Sequence, residues 1–242
     1  MKYLFISIAA FVLLSAAPAI AQKVTVTTKK ETFSRPEPPS DYKKEFTIDR
    51  PQIESSSPEI SAKIEKALAY EKFFDFTVEQ ERTEYNWLDA ASYDVKYNDN
   101  GILSVALSVE GSAAYPSGST KYAIVNTSRG TIVKASDVFD NETGLLKKLQ
   151  GLQEKEIAST YQEIKKDPEN ADLTKAELFD GKQFKAEDLN NFSIAESGVT
   201  FYYNYEFPHV IQALEPEGTF TFTWQQLKPF IKPAGLLAQF VR

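Results

Sequence analysis

The sequence predicts an α+β fold in which antiparallel β-sheets carry two main helices packed on one face, arranged as two small lobes. Three observations carry this. Period-two alternation of apolar residues recurs along the chain and is joined by tight-turn signals such as Asn98-Asp99-Asn100-Gly101. Two separate stretches, within residues 58–74 and 145–164, instead repeat their apolar residues at helical spacing. No regular strand–helix–strand repeat links them, which argues against a parallel α/β sheet.

Taken in order, residues 1–21 form a signal peptide. Lys2 gives a positive start, residues 4–14 are apolar, and Ala19-Ile20-Ala21 is the small-x-small pattern that signal peptidase cuts after. The apolar run is about half the ~20 residues that span a bilayer, and no second run follows, so no stable membrane insertion is expected after cleavage. Localisation is therefore periplasmic or extracellular. Residues 22–40 are polar and Lys-rich and close on Pro36, Pro38 and Pro39; they read as a flexible N-terminal segment, either a tether or a single edge strand. Residues 42–48 alternate as a half-buried strand that Pro51 ends. Ser57 is an N-cap with Pro58 at the first helical position, and Ile60, Ile64, Ala67, Leu68 and Phe74 continue that helix's apolar face.

Residues 76–84 and 91–98 alternate again, and the 98–101 turn leads into a strand over 102–110, a β-hairpin. Residues 122–126 and 131–134 form a second hairpin through Ser128-Arg129-Gly130, with a turn at 135–139. Residues 145–164 form an amphipathic helix that Gly151 weakens and Asp167-Pro168 stops. Residues 192–195, 198–205 and 219–223 alternate as strands, and 224–228 opens a closing helix interrupted by Pro229 and Pro233. The Ser-, Gly- and Ala-rich stretch 111–120 is the expected lobe boundary, giving a small α+β domain over 41–111 and a second over 112–242.

Composition limits function. The chain has 242 residues and no cysteine, which removes disulfides, thiolate catalysis, Cys-type metal sites and a lipid attachment cysteine together. With a formal charge of -7, attraction to phosphate polyanions is not expected, so nucleic acid is a poor partner.

Residues 101–105, the Gly/Ala/Tyr/Pro loop after them, residues 122–126, Gly130-Thr131-Ile132-Val133 and Ser136-Asp137-Val138-Phe139 together resemble one bacterial extracytoplasmic domain. It is the C-terminal domain of the lysozyme-sensing anti-sigma factor family, also found in an accessory N-terminal region of peptidoglycan deacetylases. Residues 198–203, Tyr205-Glu206, Pro208 and 224–227 resemble that family's closing strand, aromatic turn and final helix, and residues 42–110 resemble the smaller domain that precedes it. The resemblance implies an envelope recognition domain, lysozyme binding being known in one branch. One departure stands out: the loop that reads like Gly-Gly-Ala-His in the family reads Ser112-Ala113-Ala114-Tyr115-Pro116-Ser117-Gly118 here, without histidine.

The chemistry inventory is thin. His209 is the one histidine, so a zinc site would rest on carboxylates, which zinc seldom accepts. No Gly-x-Ser-x-Gly elbow accompanies it as a base for serine, and a lone His after Pro208 reads as a surface or packing residue. No catalytic set, metal site or cofactor is expected. Glu79, Glu81 and Glu84, or Glu215 and Glu217, could supply a sugar-cleaving pair, or simply a solvated face. The aromatic run 201–207 is the densest local feature. Strand alternation sends Phe201, Tyr203 and Tyr205 to one face and Tyr202 to the other. Either all pack under the final helix around Trp224, or one set offers rigid rings to a ligand. The candidate ligand-binding residues are Tyr115, Tyr203, Tyr205, Phe207 and His209. The expected function is a non-enzymatic exported envelope protein that binds a protein or a peptidoglycan ligand. The alternatives are a carboxylate-dependent hydrolase of wall glycans and an accessory with no specific ligand.

Overall fold

The computed structural model describes residues 23–38, 42–112 and 116–242, so the expected signal peptide lies outside the described residues. The first sheet contains β1 (Thr25–Ser34), β2 (Glu45–Glu54), β3 (Leu88–Asp99), β4 (Ile102–Ser112), β5 (Pro116–Asn126) and β6 (Thr131–Ile132), side by side in chain order. All neighbours are antiparallel except β2 and β3, whose short parallel ladder spans only Thr47↔Ala90 and Ile48↔Ala91. Between those two strands the chain crosses over through α1 (Pro58–Ala67) and α2 (Val78–Thr83). The second sheet is antiparallel, β7 (Phe192–Ala195), β8 (Gly198–Tyr202) and β9 (Thr219–Thr223). Three further helices, α3 (Ala135–Val138), α4 (Glu142–Ile164) and α5 (Lys175–Phe179), lie between the sheets in sequence, and α6 (Trp224–Leu227) follows β9. The fold is α+β with mainly antiparallel sheets.

Each main helix covers apolar residues of one sheet. Helix α1 starts where the Ser57 hydroxyl accepts from the Ile60 amide at 3.2 Å, and it turns Ile64 and Leu68 onto Leu103, Val105, Leu107 and Val109 of β4. Residues of β4 and β5 from the alternate register, Ile102 and Ile124, belong to a second core with Phe192, Ile194, Val199, Phe201, Phe220 and Phe222 of the second sheet and Leu145 and Leu149 of α4. Burying each such side chain stabilises by about 1.5–3 kcal/mol, so both faces of β4 contribute to stability. A third cluster gathers Ile157 and Ile164 of α4 with Leu178, Phe179, Tyr205 and Phe207. The second sheet meets the first through β7, whose Ile194 amide donates to the buried Ser104 hydroxyl at 3.0 Å.

Four expectations change. Residues 76–84 are not a strand: Thr77 Oγ1 accepts from the Gln80 amide, Gln80 Oε1 accepts from the Thr77 amide, and this capping box starts α2. Pro51 does not end β2 but lies inside it, opposite Thr28. The ladder to β3 stops at Ile48, and a residue without N–H is tolerated where one side of a strand has no neighbour. Of the two readings of residues 22–40, the edge strand is the one seen, as β1. The stretch 111–120 contains the end of β4 and the start of β5, paired from Ser112↔Pro116 onward, so the two lobes expected on either side share one sheet.

Candidate functional site

A cleft of about 670 Å³ opens where the outer edge of β5 faces the segment that leaves β8. Its floor is apolar, from Ile124, Ile132, Val133 and Phe192. Tyr122 of β5 and Tyr202 of β8 form one wall. Their rings stack with centroids 3.6 Å apart and planes 6° from parallel. The Tyr202 hydroxyl is further tied to Ser193 Oγ at 2.9 Å, so this wall is held rigid from both sides. Burial, and then the neighbouring Tyr202 hydroxyl, push the Tyr122 phenol well above its ordinary range; it is a neutral hydroxyl at any physiological pH.

Backbone pairing sets the rest of the wall. The strand ladder of β8 ends at Tyr202, whose amide bonds to Asn191 O at 2.9 Å while the Asn191 side-chain amide donates to Tyr202 O at 3.0 Å. Beyond that point the chain leaves the sheet, and Tyr203 and Asn204 line the cleft. Tyr203 is half-buried against Phe184, and desolvation raises its pKa. Gly218 makes this bend possible: its φ is +60°, and a Cβ there would lie 1.9 Å from the Tyr203 carbonyl oxygen.

Charge around the cleft runs against that of the whole chain. Lys121, Lys134, Lys182 and Lys185 line it, against Glu187, Asp188 and Glu206, and Asp188 is engaged in accepting from the Lys185 amide at 2.7 Å. Among the described residues the Nζ of none of the four lysines lies within 4 Å of a carboxylate oxygen. The cleft thus combines an aromatic wall, side-chain amides and unneutralised ammonium groups in a chain of charge -7. Such a site can hold a polar ligand by stacking, hydrogen bonds and ion pairing at once.

Sequence-predicted residues are divided by this geometry. Tyr203 reaches the cleft. Tyr205 and Phe207 are buried beneath α4, where the Tyr205 hydroxyl donates to Glu156 Oε2 at 2.7 Å. They pack there rather than around Trp224, which stacks instead on Phe240. His209 is exposed at the start of the turn His209–Leu214, and Tyr115 lies outside the described residues. Sequence reasoning missed Tyr122, Tyr202 and the four lysines. Alternation had singled out Tyr202 as the residue facing away from its neighbours, which was the available signal.

The carboxylate sets separate as well. Glu81 is sealed in the interior beside Arg35, with the Leu88 amide donating to it at 2.8 Å, whereas Glu79 is exposed and pairs with Arg82. Glu215 and Glu217 border a separate groove with Glu163 and Asp167. The carboxylates held below their ordinary range by hydrogen-bonding partners are Glu31, Glu59, Glu71 and Glu177, none of them at the cleft. Among the described residues no helix is long and apolar enough to cross a membrane, and no cluster of His, Asp or Glu suited to a metal ion is found.

The two packed sheets form an α+β fold shared with a solved structure. A DUF3298 family protein from Bacteroides fragilis superposes with a TM-score of 0.55 over 91% of this chain and 97% of its own, at 13% sequence identity. A DUF3298 family protein from Pseudomonas aeruginosa gives 0.45 over 89% and 96%, at 11% identity. At these identities the first likeness is one of fold. No protein-family model and no curated protein matches the sequence.

Proposed function

We propose that the protein is exported through the signal peptide at residues 1–21 and acts outside the cytoplasm as a non-enzymatic envelope protein, binding a protein or cell-wall ligand in the Tyr122–Tyr202 cleft. The observation that carries this reading is the cleft itself. Its stacked aromatic wall, and four lysines whose ammonium groups form no ion pair among the described residues, suit recognition of a polar ligand. The short motifs of residues 101–139 and 198–227 that resemble the anti-sigma factor domain support an extracytoplasmic role.

The test is capture of purified peptidoglycan, lysozyme and individual envelope proteins by the wild type and by Tyr202→Ala and Tyr203→Ala, with thermal unfolding as the control for folding. Saturable binding of one ligand that both substitutions weaken supports the reading. Turnover of peptidoglycan fragments, abolished by a single carboxylate substitution, would replace it with the hydrolase alternative.

A further inference from the structure

The sheet edge that borders the cleft is open. Strand β5 pairs with β4 over its whole length without a bulge, from Ser112↔Pro116 to Ile102↔Asn126. On its other side β6 meets it only at Val125 and Asn126, and the Val133 amide adds one bond to Ile124 O at 2.8 Å. In a strand, the N–H and C=O of one residue point to the same edge, and successive residues alternate. Because the Ile124 carbonyl faces the β6 side, the backbone groups of Tyr122, Thr120 and Gly118 face that side too. Among the described residues no strand pairs with them there.

The cleft reaches this edge at Lys121, Tyr122 and Ile124. Lys121 and Tyr122 are consecutive and their side chains project to opposite faces of the sheet, yet both line the cleft. Phe73 approaches from one face, and Tyr202, Tyr203 and Asn204 from the other. Ser117, Gly118, Ser119 and Thr120 present little bulk along the same edge. The opposite edge of the sheet differs: β1 carries Lys29 and Lys30 in mid-strand, the kind of charge that discourages edge pairing.

We propose that the outer edge of β5 accepts an extended segment of a partner protein as an added strand, and that the segment is acidic. This rests on the cleft being the binding site, as argued above. Main-chain hydrogen bonds to Gly118, Thr120 and Tyr122 supply the pairing, and alternate side chains enter the cleft on its two faces. Charge complementarity selects the occupant: Lys121, Lys134, Lys182 and Lys185 line the cleft against Glu187, Asp188 and Glu206, and Asp188 is already engaged by the Lys185 amide.

The test uses the purified protein and two immobilised peptides, one alternating Glu and Val and one alternating Lys and Val, with a backbone N-methylated copy of the first. Thr120→Pro removes an outward N–H without touching the ladder to β4, and Thr120→Val is its control, since both lose the Thr120–Ser108 hydroxyl contact but only proline loses the donor. The expected result is binding of the acidic peptide alone, weakened about tenfold or more by Thr120→Pro and by N-methylation, equivalent to about 1.4 kcal/mol, and retained by Thr120→Val. Added salt should weaken it further. Equal binding of both peptides, binding of neither, or indifference to Thr120→Pro overturns the proposal. If Tyr202→Ala lowers capture of muropeptides or another ligand while Thr120→Pro does not, strand addition fails and the cleft reading survives. If neither substitution changes any capture, both fail.

Discussion

Replacing Glu81 by glutamine tests how the N-terminal strand is attached. Arg35 follows directly on β1, and its side chain is wholly buried: it donates to Glu81 O at 3.1 Å and Lys43 O at 2.9 Å, and also to Leu88 O. The guanidinium lies over the Phe46 ring, and its Nη2 is 3.6 Å from the Glu81 carboxylate. Burial lowers the Arg35 pKa, and the charge of Glu81 is the main opposing influence. At 3.6 Å and an effective dielectric of about 20, the attraction is roughly 4–5 kcal/mol, and breaking a buried pair typically costs about 3–5 kcal/mol. In the Glu81→Gln variant the side-chain amide still offers an oxygen to the Leu88 N–H, and Asp89 still attracts Arg35, so a loss of about 3 kcal/mol is expected. Urea unfolding followed by far-UV circular dichroism measures it. Arg35→Met combined with Glu81→Gln should cost less than the sum of the single changes by about 2 kcal/mol, as expected for groups in direct contact. Hydrogen exchange should accelerate in Thr25–Ser34 more than in β4. A single-variant loss below about 1 kcal/mol, or simple additivity of the two, would refute the claim that this pair anchors β1.

Three other outcomes follow from the same structure. Tyr70, Tyr122 and Tyr205 all have phenol pKa values raised above 10.0, chiefly by burial; the folded state therefore holds these protons where the unfolded chain releases them. Their contribution is intact below pH ~10 and is lost as pH rises beyond it, by about 1.4 kcal/mol per pH unit for each group, so urea midpoints should be flat from pH 8 to about 9.5 and fall steeply above pH 10. Thr77→Ala removes the capping box of α2 and should cost about 1 kcal/mol in the same assay. Gly218→Ala places a methyl group against the Tyr203 carbonyl in a left-handed backbone; it should destabilise by about 2 kcal/mol or more and, by displacing Tyr203, weaken any ligand of the cleft.

What the sequence made legible is what local physics decides. The Ser57-Pro58 cap placed α1, and Asn98-Asp99-Asn100-Gly101 placed the β3–β4 hairpin, where Asn100 and Gly101 have φ of 52° and 78°, the signs that a two-residue hairpin turn requires. Helix α4 formed despite Gly151, which costs propensity but lies where nothing crowds it. The misses are long-range. Residues 25–34 carry too few buried apolar side chains to decide between a tether and an edge strand; Phe33 stacking on Phe46 and the Arg35 anchor hold them in place as the strand. Residues 111–120 have the composition of a linker, and only pairing with β4 makes residues 116–120 sheet. Alternation through 198–205 placed Tyr203 and Tyr205 on one face, but the ladder ends at Tyr202, so Tyr205 turns into the core under α4 while Tyr203 stays at the cleft. In the α2 segment, the Thr77-x-x-Gln80 cap was a readable signal that an apparent alternation outweighed.

The uncovered half of β5 is the feature that most needs a reason. From Tyr122 onward the strand is half-buried or buried, sandwiched between the core under α1 and the second sheet; from Pro116 to Lys121 every residue is exposed. Both halves pair with the same strand, since β4 continues to Ser112, so the exposed half is held in extended form by its neighbour rather than by any core of its own. An open edge of small polar residues is a site for unwanted pairing, and proteins commonly shorten, bend or charge such edges. Here the edge is long, unbulged and carries one lysine, Lys121, which itself lines the cleft. Retaining that edge beside a stacked tyrosine wall and four lysines that form no ion pair among the described residues makes sense if pairing at this position is the purpose of the strand.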